Sequence, residues 1–203
     1  KQVALFVAFE ECSSGILDRG IPIIDLEDRL DDEAAIDEGG EVGPSGGPNW
    51  NALPIWRIAA PYISAFAPDI YARDPKAVET YLDRYAASGP LMVPEIGNAA
   101  EYARFIWPAM GRGAVMFSPF GIDGTGYSNY PLGAKELDEN TLDAFAAPYR
   151  LFAKMPREWA RIARDKPLWG TAKGDDGADQ TRTMGRWQLT AQYGRWAFGE
   201  DDW

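Results

Sequence analysis

The chain has 203 residues, enough for one domain, or for one domain and part of a second. Thirty-one acids against twenty bases leave a formal net charge of −11 with no basic cluster, which excludes nucleic-acid binding through phosphate neutralisation. The chain contains no histidine, so Ser-His-Asp and Cys-His catalysis, imidazole zinc sites and a histidine general base are excluded as well.

Proton transfer, if the protein performs any, falls to carboxylates, Tyr, Lys or Cys. The apolar, aromatic and charged fractions are those of an ordinary globular protein. Cys12 is the sole cysteine, which rules out an intrachain disulfide and leaves the redox compartment open. No apolar run approaches the ~20 residues of a membrane span, so no membrane association is expected. The first residue is Lys1 rather than Met, with no basic n-region or cleavage pattern to judge, so localisation stays open and the chain reads as a fragment.

In chain order, "VALFVAF" (3–9) is a candidate buried strand, and "GIPIIDLEDRL" (20–30) fits either strand or helix. The acidic run "DLEDRLDDEAAIDEGGE" (25–41) reads as a solvated face or loop, its spacing matching no EF-hand. "EGGEVGPSGGPN" (38–49) is the strongest break in the chain. After it, Leu53, Trp56 and Ala60 within 49–62 have helical spacing, and "SAFAPDIY" (64–71) reads as a strand. "DPKAVETYLDRYAASG" (74–89) is a helix with Asp74 as N-cap, Pro75 at its first position, Gly89 past its end and Val78, Tyr81, Leu82 and Tyr85 as its apolar stripe.

A strand follows at "LMVPEI" (91–96), and then a helix over 98–111 in which Asn98 and Glu101 have capping-box spacing and Gly111 marks the end. "AVMFSPFGI" (114–122) is a third strand, followed by a Gly- and Tyr-rich loop (121–133). A long helical stretch spans 137–164, interrupted near Pro148 and restarted at Pro156. Trp50, Trp56, Trp107 and Trp159 all fall on these helices and are expected in the core. Strand and helix alternate with short connections, so the fold class is α/β with a parallel sheet, either a (β/α)8 barrel or an open doubly wound sheet. Three βα units cannot close a barrel. In "GRWQLTAQYGRWAF" (185–198) the period becomes two, as in a half-exposed antiparallel strand opening a β-rich domain.

In parallel βα arrays, ligands meet the C-terminal ends of the strands. Three such ends are present: Asp69 and Tyr71 in "APDIY", Glu95 in "VPEIG", and Ser118 to Asp123 in "FSPFGID". They recur at 24 and 23 residues (71 to 95 to 118), which places equivalent positions on successive strands. Glu95 is the sharpest, because an acid behind Leu91, Met92 and Val93 ends a buried strand and is costly without a partner. Its simpler interpretation is an acid stabilised by the dipole of the following helix. Asp69 suits a structural role. Tyr127, Ser128, Asn129 and Tyr130 offer stacking and hydroxyl recognition for a sugar, or form a plain loop.

The blocks "PSGGPNWNALPIWRIAAPYISAFAPDIY", "PLMVPEIGNA" and "GAVMFSPFGID", in this order and spacing, resemble the second half of the catalytic barrel of a bacterial branch of glycoside hydrolase family 35, the β-galactosidases. The resemblance covers about residues 43 to 200. It implies a partial (β/α)8 TIM barrel over 43–166, the start of a β-rich domain over 167–203, and an unassigned segment over 1–42 that is either a divergent fifth strand and loop or unrelated. "APDIY", "VPEIG" and "MFSPFGID" would end the sixth, seventh and eighth barrel strands. By this resemblance Glu95 corresponds to the nucleophile of a retaining mechanism, with Tyr71 beside it and able to hydrogen-bond the carboxylate. From strand-end placement and loop composition, Tyr71, Ser118, Asp123 and Tyr127 are the candidate substrate-binding residues. The substrate would be a β-galactoside or related oligosaccharide. No metal or organic cofactor is implied, and the branch admits a bacterial, periplasmic or secreted setting.

The pattern also departs from the family. Retaining glycosidases place two carboxylates ~5–5.5 Å apart, and the clan's acid/base is a glutamate after an asparagine at the fourth strand end. The chain has no Asn-Glu pair: Glu139-Asn140 is reversed and starts a helix, while Glu10-Glu11 lacks the asparagine and lies too close to "PSGGP". The acid/base is therefore expected in a missing N-terminal half of the barrel, which would also be the chain's partner. Two other functions stay open: a non-catalytic carbohydrate-binding remnant in which Glu95 only hydrogen-bonds a sugar, and one piece of a larger assembly whose other segments cover the open sheet edge.

An acid worth about 10²–10⁴-fold is thus lacking. The isolated chain should hydrolyse a natural β-galactoside negligibly, whereas an activated aryl galactoside, whose leaving group departs unprotonated, should slowly glycosylate Glu95. Assays of both substrates check this, and rapid turnover of a lactose-like substrate would point to Glu10 or Glu11 as the overlooked acid.

Overall fold

The structure, a computed structural model, describes residues 49–123 and 130–193, and the strand pairing of 195–196 with 199–200. The expected elements at 3–9 and 20–30, the acidic run, Glu10, Glu11, and Tyr127 to Asn129 lie outside the described residues.

Helix α1 (Leu53–Ala59) has Pro54 in its first turn, where no N–H is required, and is shorter than the expected 49–62. Trp50 precedes it instead of lying on it, with the Arg84 guanidinium 3.2 Å from its ring centre. Strand β1 comprises only Asp69–Ile70, although a strand was expected over 64–71. Pro68, fully buried just before it, has no N–H to give a ladder, so pairing starts one residue later. Helix α2 (Pro75–Ala86) follows its local signals: Asp74 accepts from the Ala77 N–H at 2.8 Å, Pro75 opens the helix, and Val78, Tyr81, Leu82 and Tyr85 are buried.

Strands β2 (Met92–Ile96) and β3 (Met116–Pro119) complete a sheet of order β1-β2-β3, parallel throughout. Proline is out of place in a central strand, because it removes a ladder donor. Here Pro94 sits where the β2–β3 register shifts between Val93 and Ile96, so the irregularity absorbs the missing N–H. The register pairs Val93 with Phe117, both buried, and Met92 with Met116, both half-exposed. One sheet face therefore packs into a core of Ile70, Val93, Ile96 and Phe117 with Leu82, Tyr85, Phe105, Ile106 and Phe145. The alternate residues Met92, Glu95, Met116 and Ser118 are half-buried.

The helix expected over 98–111 is instead a 3₁₀ turn (Ala100–Phe105) running into helix α3 (Ile106–Met110), which Gly111 ends. The capping box does not form. Asn98 Oδ1 accepts from the Ala134 N–H at 2.7 Å, Glu101 pairs with Arg73, and Ala99 precedes the turn without a side-chain cap. Pro108 has no N–H for the Arg104 carbonyl, which disfavours a regular α-helix across 104–108.

Helix α4 (Glu139–Phe152), capped by Asp138 on the Thr141 N–H at 2.8 Å, runs through Pro148. The expected interruption there is absent. Buried Phe145 and Pro148, with Tyr149 donating its hydroxyl to the Phe117 carbonyl, anchor this stretch, and that packing outweighs the ~3 kcal/mol cost of an interior proline. The helix gives way to a turn at 153–155, and helix α5 (Pro156–Asp165) starts at Pro156. Trp159 lies half-buried against Phe152, and Trp56 is half-buried against the core, but Trp107 is exposed and leaves the expected core set.

The C-terminal stretch is antiparallel, as its period implies, but it is not half-exposed as expected: Trp187 and Leu189 on the apolar face are both exposed. Strands β4 (Gln180–Met184) and β5 (Trp187–Ala191) pair Met184 with Trp187 across a two-residue loop, where Gly185 alone takes a positive φ. Strands β6 (Arg195–Trp196) and β7 (Gly199–Glu200) form a second short pair. Among the described residues no helix is long and apolar enough to cross a membrane.

Arg112 fastens α2, α3 and the segment leading to the hairpin. It donates to Asp83 Oδ1 at 2.7 Å, to Glu79 Oε2 at 3.1 Å and to the Pro108 carbonyl at 3.1 Å. Burial by itself disfavours its charge, but the Asp83 and Glu79 hydrogen bonds win and raise its pKa above the ordinary value. Its side chain is 11% exposed, so solvent screens this cluster far less than the Arg150–Asp143 pair, whose side chains are 63% and 76% exposed. Arg112→Ala is therefore expected to cost about 2–3 kcal/mol in urea unfolding, and Arg150→Ala less than about 0.5 kcal/mol.

Candidate functional site

The C-terminal ends of β1 and β2 lie side by side, with Asp69 in register with Glu95 and Ile70 with Ile96. Ile70 and Ile96 are fully buried and hold the two strand ends in the core. The register irregularity at Pro94 immediately precedes Glu95, and such bulges turn side chains away from the regular alternation. Glu95 is half-buried, and the Tyr71 hydroxyl donates to its Oε1 at 2.5 Å. A phenol on a carboxylate is a charge-assisted hydrogen bond, short and about twice as strong as a neutral one. It meets part of the desolvation cost foreseen for an acid at this strand end and fixes which oxygen faces Tyr71.

Of the other expected site residues, Ser118 lies half-buried on β3 beside the β2 end, where the Phe120 N–H donates to the Ile96 carbonyl at 2.9 Å. Asp123 is exposed, four residues beyond the end of β3. Tyr127 lies outside the described residues. Tyr71, just past β1, Glu95 on β2 and Ser118 on β3 therefore lie at one rim of three adjacent parallel strands, where Tyr71 contacts Glu95 directly. Asp69 is the second acid of this rim. Burial first, and then the Asp69 charge, push the pKa of the Tyr85 hydroxyl well up, so Tyr85 stays protonated behind the sheet.

A second layer of polar contacts surrounds this pair, and sequence patterns did not single it out. Tyr102 is fully buried, and its hydroxyl donates to the carbonyls of Tyr71 at 2.8 Å and Leu132 at 3.2 Å. Asn98, 1% exposed, holds the Ala134 N–H. Arg73 pairs with Glu101 and donates to the Pro131 carbonyl at 3.1 Å, while Arg104 donates to the Arg73 carbonyl at 2.8 Å. The loop after β3 is thereby tied at 131, 132 and 134 to the loops after β1 and β2. The available sequence signals were Asn98 and Glu101, whose spacing at a helix start suggested a capping box and concealed their partners, Ala134 thirty-six residues from Asn98 and Arg73 for Glu101.

Chemically, the rim presents an oriented carboxylate with a phenol donor, a hydroxyl on the next strand and a second acid in register. That set suits nucleophilic attack by a carboxylate, or hydrogen bonding to a polyhydroxylated ligand. No group of three His, Cys, Asp or Glu residues that could hold a metal ion is found among the described residues. Comparison with known proteins returned neither a matching family model nor a matching curated protein.

Gly97 follows Glu95 by two residues, and a Cβ there would lie 2.4 Å from Cε2 of the Tyr102 ring. Gly97→Ala must displace a ring packed in the core. It is expected to cost about 2–3 kcal/mol by urea unfolding, opposite in sign to the ~0.4–1 kcal/mol gain of Gly→Ala at an unstrained, open position.

Proposed function

We propose that Glu95 is the nucleophile of a retaining glycosidase acting on terminal β-galactosides, and that β1, β2 and β3 with their helices belong to a (β/α)8 barrel followed by the start of a β-rich domain. The observation that carries this is the Tyr71–Glu95 hydrogen bond at the C-terminal rim of adjacent parallel strands. It fits the resemblance of "APDIY", "VPEIG" and "MFSPFGID" to successive strand ends of a β-galactosidase barrel.

In the proposed reaction one Glu95 carboxylate oxygen attacks the anomeric carbon while the bond to the leaving oxygen breaks. That oxygen takes a proton from an acid outside the described residues. Water then attacks the same carbon, the glycosyl–Glu95 ester bond breaks, and the carboxylate is regenerated as the water proton passes to the conjugate base of that acid. The Tyr71 hydroxyl keeps the nucleophile in a single orientation, which limits the entropy lost on reaching the near-attack geometry. Ser118, half-buried on the next strand, is the proposed partner of a substrate hydroxyl. Neither step requires a metal ion or an organic cofactor.

The test is a 2-deoxy-2-fluoro galactoside with an activated leaving group, followed by mass analysis of the labelled peptide. An ester on Glu95 is expected, absent in Glu95→Gln and formed about tenfold more slowly in Tyr71→Phe, the scale of one hydrogen bond to a charged group. A protein that binds galactose with Glu95 in contact but never forms the ester would be a carbohydrate-binding module instead. Labelling of a different residue would remove the nucleophile assignment.

A further inference from the structure

We propose that Tyr102 is a positioning residue for this site, its hydroxyl holding the backbone at Tyr71 and thereby the Tyr71–Glu95 hydrogen bond. The consequence for chemistry rests on the function proposed for Glu95, but the geometry does not.

Strand β1 ends at Ile70, whose carbonyl accepts from the Gly97 N–H at 3.0 Å. The carbonyl of Tyr71 lies one residue past the strand, and a half-buried carbonyl there needs a donor. Tyr102 supplies it at 2.8 Å and shares the same proton with the Leu132 carbonyl at 3.2 Å, a three-centre bond. The two acceptors belong to the loops after β1 and β3, and the donor to the turn after β2, so one hydroxyl joins the ends of all three strands.

The hydroxyl has little freedom to leave. The Tyr102 ring lies on Gly97, where any side chain would collide with it, and packs edge-on to Phe105 at 6.1 Å between centroids. The Arg73 guanidinium stands 5.8 Å from the ring centroid on the solvent side. Burial, opposed by Arg73, raises the Tyr102 pKa, so the hydroxyl remains a donor throughout the neutral range. Tyr71 carries its own hydroxyl at the far end of a long side chain, so a small rotation of its backbone becomes a large displacement at Glu95. Holding the Tyr71 carbonyl suppresses that rotation.

A double-mutant cycle tests this without requiring activity. Tyr71→Phe, Glu95→Gln and the pair are made in the wild-type and Tyr102→Phe backgrounds, and their coupling is read from unfolding equilibria. About tenfold coupling is expected in the wild type, falling to within about twofold of none in Tyr102→Phe. Coupling that survives Tyr102→Phe, or that is absent from the wild type, would overturn the proposal. Asn98→Ala releases the Ala134 N–H but leaves the Tyr102 hydroxyl, and should keep the coupling; an equal loss there would assign the effect to the loop and overturn it too. Tyr102→Phe keeps the ring on Gly97. Should that variant nonetheless fail to fold, NMR of the unaltered protein decides: a slowly exchanging Tyr102 hydroxyl proton with cross-peaks to Tyr71 is expected, and a rapidly exchanging one rejects the assignment. The 2-fluoro galactoside separates the two proposals. A wild type that keeps the coupling but never forms the ester rejects the glycosidase and supports the positioning role. If the ester forms, Tyr102→Phe should form it about tenfold more slowly at saturating label, with the half-saturating concentration unchanged.

Discussion

A carboxylate at the end of a buried strand needs a hydrogen-bond donor, and much of this structure follows from how Glu95 obtains one. Its neighbours Val93 and Ile96 are fully buried, so the strand cannot shift to give the acid to water without exposing both. The donor must come from an adjacent strand end. The parallel register of Asp69 with Glu95 puts Tyr71 two residues further along, where a phenol is long enough to reach back to the carboxylate. A register shifted by one residue would turn Ile70 or Ile96 out of the core, so the apolar face of the sheet and the polar contact at its rim select the same pairing.

The irregularity at Pro94 links sheet and site. Without it the strict alternation of β2 would be broken only at an energetic cost, since Val93 and Ile96, three residues apart, are both buried. The shift brings both into the core, accommodates a proline in a central strand and leaves Glu95 between them at the rim. Strain at this position is not needed to explain it. A missing N–H and a register shift meet at the same residues, and each removes the cost of the other.

Two polar clusters hold opposite parts of the βα array. Arg112 draws together the acids of α2, the end of α3 and the segment before the hairpin, behind the sheet. Tyr102, Asn98 and Arg73 bind the loops at the front, where Glu95 lies. Both rely on donors that are buried or half-buried and satisfied by several acceptors, the circumstances in which polar contacts contribute most to a unique arrangement. Glycine permits the close approach in each place: Gly97 under the Tyr102 ring, and Gly111 against the backbone of Gly170. For the nucleophile proposed at Glu95 these contacts would matter, because orientation lost at the nucleophile is lost from the rate.

Features whose hydrogen bonds close within a few residues, or whose pattern repeats, were legible in the amino-acid order. Asp74 and Pro75 start α2, Asp138 caps α4, and the alternation from Trp187 to Ala191 forms an antiparallel strand, because each signal acts over at most one turn or one pleat. The apolar run before Glu95 likewise marked a strand end, but the spacing from 71 to 95 did not give equivalent positions: Glu95 is in register with Asp69, and Tyr71 lies just past β1. Where a local preference competed with a distant partner, the tertiary structure decided. Asn98 gave up its cap for Ala134, Glu101 went to Arg73, and Pro148 stayed inside a helix pinned by Phe145 and Tyr149. Tyr102 lies inside the stretch expected as a helix over 98–111, and no local pattern points to it; its role depends on carbonyls thirty and thirty-one residues away. A residue's neighbours along the chain define the donors and acceptors it can reach cheaply, but only the packed fold excludes water from the others, and that exclusion makes a distant hydrogen bond worth more than a near one.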